Sequence, residues 1–143
     1  MIGLAVGVLL ARADLAGLSA AWWVWGLSTA WYLSRGQFTL GLATSAVNAL
    51  LMAAAHPLAS GSAASWLGWG LGLFAAGWVI QFVGHVWEGR KPAFVDDLVG
   101  LLVGPMFVVA EWLFAAGWGH ALAHEITQRA GAVRPAIKDG AAA

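Results

Sequence analysis

Gln81, His85 and Glu88 stand at i, i+4 and i+7, a spacing that places all three on one face of an α-helix. They open the stretch QFVGHVWEGRKPAFVDD, residues 81–97, which also holds Arg90, Lys91, Asp96 and Asp97. The chain has seven Lys and Arg and seven Asp and Glu, and five of these fourteen fall in this stretch. Neutral imidazole binds Fe, Zn, Cu or Ni. A carboxylate one turn away completes such a site or holds the imidazole by its second nitrogen. The same spacing also suits a hydrogen-bonded interfacial group at a helix end. Arg90 and Lys91 then anchor the chain, Asp96 and Asp97 cap the next helix, and Pro92 marks the turn. Spacing alone leaves both readings open.

Other polar residues lie within apolar surroundings. Glu111 sits in FVVAEWLF with no cation in its own segment. A carboxyl there must be protonated, paired with another helix or bound to a metal, and His85 and Arg90 are the natural partners. His120 and His124 stand at i, i+4 in HALAHE beside Glu125, a pair that can bind metal on a helix or remain solvated. His56, just before Pro57, is expected to cap a helix end or face solvent. Asn48, inside an apolar run, can bond across to a neighbouring helix.

The elements that must position these groups are membrane helices. The chain of 143 residues is 61% hydrophobic and 10% charged, against roughly 25% charged in a soluble domain. Its mean hydropathy of +0.77 and ten Trp against one Tyr favour a bilayer over water as solvent. Crossing the hydrocarbon core takes about 20 residues. Leu18–Leu33, Phe38–Ala55, Ser65–Trp87 and Leu98–Trp118 come close, the last interrupted by Gly104-Pro105. Met1–Ala11 begins inside an apolar run and reads as a truncated first helix. The fold expected is therefore an all-α integral membrane bundle of four to five hydrophobic helices over residues 1–125. A flexible polar tail follows over 126–143. Gly68, Gly70, Gly72, Gly77 and Gly84 suit close helix contact, although a high overall Gly content explains them equally well.

If all five segments cross, Arg12 and the tail residues Arg129, Arg134 and Lys138 oppose Arg35, Arg90 and Lys91, which decides no orientation. If the Pro-broken last segment is re-entrant, Arg35, Arg90, Lys91 and the tail share one side against Arg12. The positive-inside rule then makes the 88–97 loop cytoplasmic.

Several function classes are excluded or unsupported. The absence of cysteine rules out disulfides and thiolate metal sites. A formal net charge of zero gives no basic face for nucleic acid. There is no nucleophile elbow, Walker loop, dinucleotide fingerprint or paired-carboxylate glycosidase pattern. A transporter or channel would need polar residues continuing through several helices, and only Asn48 and Glu111 sit at such depth.

One set of residues resembles a known family. The ordered string Gln81-Phe82-Val83-Gly84-His85, Glu88-Gly89-Arg90-Lys91-Pro92-Ala93-Phe94, Asp96-Asp97-Leu98 and Gly104-Pro105-Met106-Phe107-Val108 with Glu111 is similar to the small multi-pass membrane family of the fungal 2-hydroxy fatty acid dioxygenase. The similarity is strong over about residues 78–112. The resemblance implies an Fe(II)-dependent enzyme that uses O2 to remove one carbon from a 2-hydroxy fatty acid, with His85 at a metal-ligand position. Glu88, Arg90, Asp96 and Glu111 occupy motif positions and are the candidate catalytic residues. The substrate would be a membrane lipid or 2-hydroxy fatty acid, and the setting a membrane, expected to be the bacterial inner membrane. The family also places ligand histidines ahead of its first membrane helix, where this sequence has nothing before Met1. A catalytically inactive scaffold or lipid-interaction protein is therefore the alternative expectation.

Overall fold

The computed structural model describes residues 1–88, 99–119, 122, 124–126 and 128. It divides into two units, Met1–Gln81 and Phe82–Ala143. The first holds α1 (Ile2–Leu10), a short antiparallel hairpin of β1 (Asp14–Leu15) and β2 (Leu18–Ser19), α2 (Ala20–Leu33), α3 (Phe38–Ala59) and most of α4 (Ala63–Glu88). The second holds the end of α4 and α5 (Gly100–Ala115). The expected all-α architecture is observed, and four helix boundaries fall within a few residues of the apolar segments. α3 instead runs four residues past Ala55 to Ala59, carrying Pro57 within its last turn.

α3 and α4 are the two described helices long and apolar enough to cross a membrane. At 1.5 Å per residue, the 22 residues of α3 reach about 33 Å and the 26 of α4 about 39 Å, enough for a hydrocarbon core of roughly 30 Å. α5 has 16 residues and reaches about 24 Å. The expected break at Gly104-Pro105 does not occur, because α5 continues through Pro105. Pro105 is past the first turn, so its missing N–H leaves the Leu101 carbonyl without its intrahelical donor, and the helix nonetheless continues. The tail beyond 128 lies outside the described residues.

The first unit is held by close helix packing rather than by large side chains. Val8, Ala55 and Ala59 form a buried cluster, flanked by Leu4, Ala11, Leu58 and Trp66. Gly70 and Gly77 lie one heptad apart on α4, where α1 packs against them. A Cβ at Gly77 would stand 2.7 Å from Ile2 Cγ1, and one at Gly70 would meet Leu9. Gly68, Gly72 and Gly84 face open space, so two of the five expected contact glycines make close contacts. α2 packs on α3 through Ala20, Ala21, Tyr32, Leu40, Gly41, Thr44 and Ser45. Three side chains in this seam find hydrogen-bond partners within it. Thr44 and Ser45 donate to the carbonyls of Leu40 and Gly41 at 2.8 Å, and the Tyr32 hydroxyl pairs with Asn48. Asn48 thus bonds across helices, as its position suggested.

At one end of this unit, Arg12 ties the elements together. Its Nε donates to Ala59 O at 2.8 Å, its Nη2 to Gly61 O and Ser62 O, and its guanidinium lies 5.0 Å from the centre of the Trp66 ring. Trp66 in turn donates to Val8 O at 2.7 Å. The adjoining hairpin is an addition to the sequence expectation. Ala16 and Gly17 both take positive φ, 56° and 82°, as a two-residue hairpin turn requires. The Asp14 carboxylate steadies this turn by accepting from the Gly17 N–H at 3.0 Å.

Candidate functional site

α4 begins where the Ser62 hydroxyl accepts from the Ser65 N–H, a side-chain cap on an otherwise open helix end. From there the helix is unbroken to Glu88, so Gln81, His85 and Glu88 fall on one helical face as their spacing predicted. His85 lies 22 residues beyond Ala63, about 33 Å along the axis. A helix of that length is long enough to span a hydrocarbon core of roughly 30 Å. His85 is half-buried, while Phe82, Val83, Val86 and Trp87 around it are exposed. The helix therefore presents an imidazole in its last turn, flanked by apolar side chains that lipid can reach. The helix C-terminus is also where the macrodipole favours a bound cation.

Glu111 lies on α5, where it is exposed. His124 is helical and exposed. Arg90, Lys91, Pro92, Asp96, Asp97 and His120 lie outside the described residues, so Arg90 as partner of Glu111 and the His120–His124 pair are likewise outside them. Among the described residues, no group of three His, Asp or Glu comes together in a way that could hold a metal ion. The described residues alone do not fill a 2-His-1-carboxylate face.

His56 departs from expectation. It lies in the last turn of α3, partly exposed, but its ring bonds back into the helix and across to a neighbour rather than capping a free end. Its Nδ1 lies 2.8 Å from Met52 O, so this nitrogen carries the proton, and Nε2 faces Ser19 Oγ at 3.5 Å. The ring stacks on Trp22 with centroids 5.8 Å apart. Both nitrogens are therefore engaged in helix packing. The tertiary partners Ser19 and Trp22 lie more than thirty residues away, and no local signal around AAAHPLAS reveals them.

Comparison with known proteins places this geometry in context. The 2-hydroxy-palmitic acid dioxygenase Mpo1-like family matches residues 1–116. The 2-hydroxy-palmitic acid dioxygenase MPO1 of Saccharomyces cerevisiae is 52% identical over 50 residues, which are 34% of this chain and 29% of the yeast protein. The match therefore spans less than a third of that relative's length. No solved structure matches the chain. The family match extends from the first apolar helix to the end of α5 and takes in His85. On that coverage, the chain belongs to the 2-hydroxy-palmitic acid dioxygenase Mpo1-like family.

Proposed function

We propose that the chain is a membrane-embedded, Fe(II)-dependent dioxygenase that shortens 2-hydroxy fatty acids by one carbon, with His85 as one iron ligand. The observation that carries this reading is the position of His85. It is half-buried in the last turn of a helix of bilayer-spanning length, among exposed apolar side chains. Family membership and the identity to the yeast enzyme support the substrate class.

The substrate's shape suits that position. A 2-hydroxy fatty acid keeps its tail in the bilayer and its carboxylate and hydroxyl at the surface. Phe82, Val83, Val86 and Trp87 offer the tail an apolar flank beside the imidazole. Arg90 or Lys91 supplies a cation for the carboxylate, in a charge-assisted hydrogen bond. Glu88, Asp96 and Glu111 are the carboxylates available to complete the ligand set or to orient the imidazole. Iron, when bound, supplies O2 activation, and it needs ligands beyond His85. The setting proposed is the bacterial inner membrane, with the 88–97 loop cytoplasmic when the last apolar segment does not cross and Arg35, Arg90, Lys91 and the tail cations oppose Arg12 alone.

The test is Fe(II)-dependent O2 uptake by detergent-purified protein given 2-hydroxypalmitic acid, with product mass followed in parallel. A product one carbon shorter, absent in His85→Ala, is the expected result. If the wild-type chain binds no iron and yields no shortened acid, the catalytic reading is refuted for this chain and the inactive scaffold stands.

A further inference from the structure

The β1–β2 hairpin has no role in the site around His85, yet its tip is strongly apolar. Leu15 and Leu18 are directly paired across the ladder, so both side chains leave the same face. They are 54% and 43% exposed, and Trp23 beside them is 46% exposed. The Trp23 indole donates to Leu15 O at 2.9 Å, which joins the tip to the first turn of α2. Val24 and Leu27, one and four residues further along α2, are also exposed, so the apolar surface of the tip continues onto that helix.

The depth of this tip is set by Arg12, two residues before β1. Its bonds to Ala59 O and Ser62 O fix it where α3 ends and α4 begins, the two bilayer-length helices. The hairpin is thus held at the level of headgroups, where indoles concentrate. Its polar backbone is already provided for. The Gly17 N–H donates to Asp14, the Leu15 carbonyl accepts from Trp23, and the Ala20 N–H donates to Ala13 O at 2.7 Å. Leaving water therefore strands few hydrogen-bonding groups.

We propose that this hairpin is an interfacial anchor, inserting Leu15, Leu18 and Trp23 among lipid headgroups and the adjoining acyl chains. The proposal rests on the membrane reading of α3 and α4. Because the chain has no cysteine, single labels can be placed without background. Leu15→Cys, Leu18→Cys and, as a mid-span control, Leu50→Cys on the exposed side of α3 would each carry an NBD fluorophore. The labelled proteins would be reconstituted in phosphatidylcholine–phosphatidylglycerol vesicles, with helicity checked by circular dichroism. Labels at 15 and 18 should show blue-shifted emission, quenched more by a nitroxide near the headgroup than by one deep in the chains. The label at 50 should show the reverse order. Water-like emission at 15 and 18 with deep quenching at 50 would overturn the anchor and leave the membrane reading intact. Water-like emission at 50 would overturn the membrane reading and the anchor with it. Shielding at 15 and 18 that disappears on lipid dilution would assign the surface to a second copy of the chain and overturn the lipid assignment.

Discussion

Replacing Arg12 with Met removes a guanidinium while keeping an apolar stem of similar length, so the loss reports the polar contacts alone. The bond from Nε to Ala59 O is 2.8 Å long and partly buried. A hydrogen bond from a charged donor contributes ~1.5 kcal/mol at the lower end of its range. The guanidinium over Trp66, 5.0 Å from the ring centre, adds ~0.5 kcal/mol at an exposed site. The Nη2 contacts to Gly61 and Ser62 are exposed and contribute little beyond this. The expected destabilisation is therefore about 2 kcal/mol, roughly a thirtyfold fall in the folded-to-unfolded ratio. Arg12→Lys should recover less than half, because one flexible ammonium cannot reproduce a planar fork. The assay is reversible unfolding in mixed micelles of rising SDS fraction, followed by circular dichroism. Should Arg12→Met unfold within ~0.5 kcal/mol of wild type, the spread of ordinary surface substitutions, Arg12 would not be the tie that joins the hairpin to the α3–α4 turn.

Other contacts make separate predictions in the same assay. Gly77→Val should destabilise by ~1–3 kcal/mol, because a Cβ there meets Ile2 side chain and backbone, whereas Gly68→Ala faces open space and should be silent. Equal effects of the two would refute the α1–α4 contact. Tyr32→Phe strips Asn48 of its hydroxyl partner across the α2–α3 seam and should cost ~1 kcal/mol; Asn48→Ala added to it should cost little more. His56→Ala should lower stability through lost stacking on Trp22 while leaving iron content and turnover unchanged, since both its nitrogens are engaged elsewhere. Loss of iron in His56→Ala with the fold intact would move His56 into the ligand set.

Much of the candidate site was legible because helical periodicity and motif order are local. Gln81, His85 and Glu88 share a face for any helix that spans them, and α4 does. The ordered residues of the 81–111 stretch point to the family, and the family match over residues 1–116 agrees. His56 was misread because its surroundings come from Ser19 and Trp22, brought near only by packing of α2 on α3. The break expected at Gly104-Pro105 failed because a single proline withholds one backbone donor, and the flanking apolar run is helical enough to continue.

The helical class and the family are legible in the sequence alone. Apolar run length decides what can cross a bilayer, and motif order survives without coordinates. Tertiary structure alone decided which glycines are contact points, which histidine is engaged in packing and where the hairpin is held. Gly70 and Gly77 differ from Gly68 and Gly72 only in having α1 against them. Arg12 ties the hairpin to the α3–α4 turn only because the chain returns to it forty-seven residues later at Ala59. Such choices depend on which surfaces meet, and meeting is a property of the packed chain rather than of any local stretch.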